Sequence, residues 1–212
     1  MQTVIIASNN KHKVDEIKSV LSFPQLKFMS LREAGIESNP EENAPDFLGN
    51  AKIKAYGAKA AFERAVGNFP EKLETTCFLA DDSGLEVESL GGNPGVMSAR
   101  YAGENATDAQ NNAKLLRELT GKTAKNRKAR FVCQLVFLMP QVNEIHATGE
   151  VKGIIASEPK GENGFGYDPL FLPEKFNYTC SMAQISASEK NAISHRGLAL
   201  VQLKEKLGAY YA

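Results

Sequence analysis

Asp81 and Asp82 stand side by side after an apolar run, Cys77-Phe78-Leu79-Ala80, and are followed by Ser83-Gly84. Adjacent carboxylates at the end of a strand hold a hard cation such as Mg²⁺, or act as a base beside one. Open α/β sheets place their ligands at that point, outside the carboxyl ends of the strands. The run predicts a buried strand over residues 76–80 that stops at the acidic pair, with Gly84 turning the chain. The plainer alternative makes Asp81 a cap and Asp82 the start of a turn, both common uses of aspartate.

Four further stretches carry side chains suited to chemistry. Ser8-Asn9-Asn10-Lys11-His12-Lys13 reads as a turn from a strand into a helix, where free backbone N–H groups face an anion. Lys13 puts a positive charge in the first helical turn, against the macrodipole, which makes sense where an anion binds; otherwise the stretch is a plain cap with solvated lysines. Glu41-Glu42 precede Asn50-Ala51-Lys52-Ile53-Lys54-Ala55, and matter only where the fold brings them to the acidic pair. In Gly161-Glu162-Asn163-Gly164-Phe165-Gly166-Tyr167-Asp168-Pro169, glycines on both sides of Phe165 permit close approach of a planar ligand, and the ring can stack on a base. No Gly-Lys-Ser/Thr follows, so this is not a Walker loop; an ordinary turn anchored by Phe165 and Tyr167 is the alternative. Ser188-Glu189-Lys190-Asn191-Ala192-Ile193-Ser194-His195-Arg196-Gly197 reads either as a helix start or as a donor-rich segment.

The elements that would position these side chains alternate. Strands are expected at 3–7, 26–29, 76–80, 130–138 and 144–155, and helices from about 14, over 47–66, 107–119 and 194–210. Residues 37–46 read as a loop, 68–75 as a surface insertion, 91–103 as a glycine-rich passage and 139–143 as a hairpin turn. In the strand at 144–155, Ile145, Ala147, Val151 and Ile155 alternate with Glu144, His146, Thr148, Glu150 and Lys152, so one face is buried and one is wet. A single unbroken helix from 189 to 207 would separate Lys190 and Arg196 by about 240° around its axis. Both can serve one ligand only where the helix is interrupted, and Ser194 is a good N-cap for a helix starting there, with 188–193 at most a separate short turn.

Composition sets the remaining bounds. The 212 residues suit one α/β domain, 1–212, with a mixed sheet, and a hydrophobic fraction of 42% indicates neither disorder nor a membrane span. Twenty-five basic residues balance 25 acidic ones, which argues against unspecific nucleic-acid binding. The amino terminus lacks the features of a signal peptide, and Cys77 and Cys133 lie in apolar runs with no metal-site spacing. These features describe a cytoplasmic globular protein with core thiols.

Taken in order, the motifs resemble the inosine triphosphate pyrophosphatase family, from Val4 to about Leu203. The family's Ser/Thr-x-Asn-x-x-Lys matches Ser8, Asn10 and Lys13, and its Asn-Ala-x-x-Lys-Ala helix matches Asn50, Ala51, Lys54 and Ala55. Its acidic block matches Ala80-Asp81-Asp82-Ser83-Gly84-Leu85, Leu90-Gly91-Gly92-Asn93-Pro94-Gly95 and Ser98-Ala99-Arg100-Tyr101. Its base-binding and C-terminal blocks match Gly164-Phe165-Gly166-Tyr167-Asp168-Pro169, Glu189-Lys190 and Ser194-His195-Arg196. The family's Glu-Glu-x-Gly-x-Thr-Phe departs here to Glu41-Glu42-Asn43-Ala44-Pro45-Asp46-Phe47.

The resemblance implies an elongated mixed sheet flanked by helices, with a nucleotide site in a cleft between two lobes. It implies Mg²⁺-dependent hydrolysis of ITP, dITP and XTP to monophosphate and pyrophosphate by a homodimer, with Val96, Met97 and Tyr101 as candidate contacts. On this reading Asp82 is the catalytic residue and a metal ligand, and Asp81 with Glu41 or Glu42 completes the carboxylates. Residues Ser8 to Lys13, Lys54 and Ser83 serve the phosphates. Phe165, Gly166, Tyr167 and Asp168 frame the purine, and Lys190, His195 and Arg196 donate to its 6-oxo group. A pyrophosphatase for other modified nucleotides and a nucleotide-binding module without turnover are the rivals.

Overall fold

The computed structural model describes residues 1–67, 70–140 and 142–211. Residues 68 and 69 of the expected insertion and Gln141 of the expected hairpin turn lie outside the described residues; Pro70–Thr75 forms a 3-10 turn.

The expected α/β class with a mixed sheet is what forms. Six strands run in the order β2-β1-β3-β4-β5-β6, where β1 is Gln2–Ile6, β2 Leu26–Ser30, β3 Thr76–Val87, β4 Lys128–Met139, β5 Val142–Ile155 and β6 Phe171–Pro173. β1 pairs parallel with β2 and with β3, and β5 pairs antiparallel with β6. The helices are α1 Lys11–Val20, α2 Phe47–Val66, α3 Asp108–Glu118, α4 Ala187–Ile193 and α5 His195–Tyr211. None of the described helices is long and apolar enough to cross a membrane.

The chain divides into two compact units, and β3, β4, β5 and α5 each pass from one to the other. The first comprises Met1–Asp82, Cys133–Gly149 and Ala199–Ala212. Here β1 is covered on both faces, which is why Val4, Ile5 and Ile6 form a continuous apolar run rather than an alternating one. Val4, Ile6, Cys77 and Leu79 pack with Val14 and Ile17 of α1 and with Leu200, Leu203 and Leu207 of α5. Ile5, Phe78 and Ala80 face Ala51, Ala55, Ala58 and Ala61 of α2, whose small side chains let the helix lie close to the sheet.

The second unit comprises Ser83–Val132 and Glu150–Leu198. Its core joins Leu85 and Val87 of β3, Phe131 of β4, Val151 and Ile155 of β5 and Phe171 of β6 to Leu115 and Leu119 around α3. The expected alternation of β5 holds from Ala147 onward, with Thr148, Glu150 and Lys152 exposed between buried neighbours.

Three expectations are corrected. β3 does not stop at the acidic pair, and Gly84 does not turn the chain. Leu85 and Val87 are fully buried on either side of Glu86, so the period-two pattern resumes past the glycine and carries the strand on. β6 was not anticipated, because three residues are too few to give a periodic signal. Residues 187–193 form a helix of seven residues rather than a short turn, closed by a capping box in which Ser186 and Glu189 satisfy each other's backbone N–H groups.

Candidate active site

In the first unit, Asn10 caps α1 by accepting the Lys13 N–H at 3.2 Å, while Ser8 Oγ accepts the Asn10 N–H at 3.1 Å. This cap aims the Lys13 side chain at β3, where its ammonium donates to Asp81 Oδ1 at 2.6 Å. Asp81 has no side-chain exposure, and its Oδ2 accepts the Cys133 thiol at 3.1 Å. Asn9, Lys11 and His12 remain on the exposed side of this turn.

Lys54, on α2, donates to Asp82 Oδ1 at 2.5 Å and to Glu42 Oε2 at 3.2 Å. Glu42 thereby joins the acidic pair, whereas Glu41 is exposed. The Ala44 N–H donates to the buried Asn50 Oδ1 at 3.0 Å, which ties the glutamate loop to α2. Burial alone would lower the Lys54 ammonium, but the charges of Asp82, Glu42 and Asp81 outweigh it and raise it. Burial raises the Asp82 carboxyl above its ordinary value, against the pull of Lys54.

Among the described residues, no three His, Cys, Asp or Glu side chains converge as a ready-made metal cage. The donor set nevertheless suits Mg²⁺, which keeps much of its water and is held by one or two carboxylates together with substrate phosphates. Asp82 Oδ2 supports that fit: it is buried and has no hydrogen-bond partner among the described residues. A carboxylate oxygen desolvated in this way is costly unless a cation or donor arrives.

In the second unit the aromatic loop supplies the other group. Gly164 and Gly166 both have left-handed φ, +77° and +62°, and place Phe165 at the crest between them. Lys190 Nζ lies 4.4 Å from the centre of the Phe165 ring, and the Arg196 guanidinium carbon 5.7 Å from it. Lys190 is buried and donates to Asp168 Oδ2 at 2.7 Å, and the same oxygen accepts the Phe165 N–H at 2.9 Å. Arg196, only 2% exposed, donates to Ser83 Oγ at 3.2 Å.

Lys190 and Arg196 share one ring because the helix breaks between them, as the axial geometry required. Ser194 is extended, at φ −70° and ψ 155°, and its hydroxyl accepts the Gly197 N–H at 3.0 Å, capping α5. A Cβ on Gly197 would come 1.7 Å from the Asn191 carbonyl oxygen, so this junction needs glycine.

Two further residues expected at the ligand also make contacts within the second unit. The Tyr167 hydroxyl donates to the Ser98 carbonyl at 2.9 Å, in the core. The buried His195 ring stacks on Phe131, with centroids 4.7 Å apart and planes 10° from parallel. Conversely, nothing in the residue pattern pointed to Cys133 at Asp81. A cysteine in an apolar strand reads as plain core, and only the pairing of β3 with β4 brings the two together.

The Ham1 family model matches residues 4–206. A dITP/XTP pyrophosphatase of Clostridium tetani is 46% identical over 210 residues, 99% of this chain and 98% of that protein. One from Bacillus subtilis is 42% identical over 209 residues, 99% of this chain and 98% of that protein. The solved structure of the Staphylococcus aureus Ham1 protein aligns with a TM-score of 0.82 at 38% identity, covering 99% of this chain and 100% of that one. This chain belongs to the Ham1 family.

Proposed function

We propose that this protein hydrolyses the non-standard purine nucleoside triphosphates ITP, dITP and XTP to the monophosphate and pyrophosphate, with Mg²⁺ as cofactor. Relatives named dITP/XTP pyrophosphatase, similar over nearly their whole length, support the activity. The observation that carries the substrate class is the Phe165 ring with Lys190 and Arg196 against it.

The aromatic group of the second unit takes the purine. Lys190 and Arg196 are donors only, and hypoxanthine and xanthine present an acceptor at position 6 where adenine presents a donor. A pocket of donors facing adenine's amino group leaves them unpaired, a mismatch that can reject the wrong base by as much as ~10⁴-fold. Asp168 holds Lys190 in place, and Arg196 is steadied by Ser83.

The carboxylate and lysine group of the first unit takes the triphosphate. Lys13, Lys54 and the N–H groups before α1 offset its negative charge. Asp82, with Glu42 beside it, would hold the metal, which when bound would offset charge on the phosphate oxygens. Water attacks the α-phosphorus, the bond from that phosphorus to the α–β bridging oxygen breaks, and pyrophosphate leaves with the electron pair. Asp82 orients the water and accepts its proton, a role that suits a carboxyl raised by burial. Asp81, enclosed by Lys13 and Cys133, sets the position of Lys13.

We further propose a cytoplasmic homodimer. The thiols Cys77 and Cys133 are buried and unbridged, as suits a reducing compartment, and the exposed Met97 offers an apolar contact. Light scattering at micromolar concentration checks the dimer. Steady-state rates on ITP, XTP, GTP, ATP and modified pyrimidine triphosphates, with and without Mg²⁺, test the function. Pyrophosphate release from ITP and XTP far above ATP is expected; equal rates on ATP and ITP, or turnover without a divalent cation, overturn it.

A further inference from the structure

The sequence assigned no chemistry to α3, yet this helix holds the aromatic loop from below. Asp108 Oδ2 accepts the Gly166 N–H at 2.6 Å, and Asn112 Nδ2 donates to the Gly166 carbonyl at 2.9 Å. Asp108 and Asn112 are four residues apart and share one helix face, so both backbone polar groups of one glycine, in the peptide links before and after it, are gripped. The helix is itself well anchored. Thr107 and Gln110 form a capping box at its start. Asn111, buried, accepts the Ala102 N–H at 2.8 Å and donates to the Ala99 carbonyl at 3.0 Å.

The grip is needed because of where Phe165 sits. Left-handed glycines on both sides give this segment more backbone freedom than any other pair of residue types would. A loop with that freedom would leave the ring plane poorly defined, and ordering it on binding would cost affinity. Asn112 Oδ1 is buried without a hydrogen-bond partner among the described residues, while its Nδ2 is matched by the Gly166 carbonyl.

We infer that Asp108 and Asn112 are positioning residues for the base: they fix the Gly166 N–H and C=O, and through the backbone that carries Phe165 the plane of its ring, before the nucleotide arrives. The inference rests on the reading that Phe165 stacks on the purine. It separates two functions within unit two: the loop meets the base, and Asp108 and Asn112 act on it through the loop.

A double-mutant cycle on ITP hydrolysis tests it, with Tm recorded for every variant. Asp108→Ala is expected to raise KM about tenfold with kcat within about twofold of the parent, the pattern of lost binding. Asp108→Asn keeps an acceptor oxygen and is expected to restore most of the KM. In a Phe165→Ala background, Asp108→Ala should add less than about twofold, because there is no ring left to orient. Should Asp108→Ala fail to fold, Asn112→Ala carries the same expectations. A KM for Asp108→Ala and Asn112→Ala equal to the parent's, with Phe165→Ala raising it, overturns the positioning role alone. The same tenfold effect with and without Phe165 also overturns it. A Phe165→Ala variant whose KM is unchanged removes the stacking reading itself, and the positioning role with it.

Discussion

The two polar groups are built on different principles. In the first unit charge is matched to charge: Lys13 to Asp81, Lys54 to Asp82 and Glu42, all on regular helices, a strand and one tethered loop. In the second unit two cations lie against an aromatic face on a glycine loop, with one carboxylate to steady Lys190 and a hydroxyl to steady Arg196. Buried charge of the first kind is unforgiving, because removing one partner strands the other in a medium that solvates it poorly. The buried Lys190–Asp168 pair shares that cost, but the ring and the remaining donors around it are more tolerant, since stacking and each hydrogen bond contribute separately. The first arrangement suits a step where charge develops, and the second suits choosing between similar bases.

If this contrast is right, substitutions in the two units fail in different ways. Asp82→Asn removes charge but almost no volume and takes from Lys54 the nearer of the two carboxylates it donates to. It is expected to lower kcat by about 10³-fold or more, beyond the ~10²-fold of one lost hydrogen bond, with the fold retained by circular dichroism. Arg196→Ala is expected to act on selectivity, cutting the kcat/KM preference for ITP over ATP by about tenfold or more. A kcat on ITP that falls as far for Arg196→Ala as for Asp82→Asn would erase the distinction.

Much of this was readable from residue types. The Asp81-Asp82 pair, the glycine-flanked Phe165 and the break at Ser194 each have local causes: charge adjacency, backbone permissiveness and helical geometry. The continuation of β3 past Gly84 was not readable, since glycine signals a turn and only the burial of Leu85 and Val87 outweighs it. The choice between Glu41 and Glu42 was also closed to the sequence, because it depends on which one the loop before α2 brings within reach of Lys54. The partners Cys133, Asp108 and Asn112 act across 52, 58 and 54 residues of chain, and no local pattern announces such pairings.

Stability sharpens the comparison with smaller effects. Arg127, in the second unit, donates to the carbonyls of Ile155, Leu119 and Ala156 at 2.7, 2.9 and 2.7 Å. Arg127→Ala leaves those oxygens without a side-chain donor, and is expected to cost about 2 kcal/mol. Hydrogen exchange should show the loosening first in the second unit, with the amides of β1 still protected.

The smallest effect lies in the first unit. The Lys18 ammonium and the Ser30 N–H and hydroxyl hold the Glu33 carboxyl down at about 2, against an ordinary 4.5. A depressed carboxyl stabilises the fold above its unfolded value, so this contribution is present above pH 4.5 and is lost as pH falls toward 2. Glu33→Gln should therefore flatten the acid limb of the Tm profile slightly in that window; an unchanged profile would show the pair to be inert.

The central claim is attack of water on the α-phosphorus of a 6-oxopurine nucleotide with pyrophosphate as the leaving group. Hydrolysis of ITP with Mg²⁺ in ¹⁸O-labelled water, read by mass spectrometry of both products, tests it most directly. The account predicts one ¹⁸O in inosine monophosphate and none in pyrophosphate. Label in pyrophosphate, or orthophosphate as the first product, would contradict it.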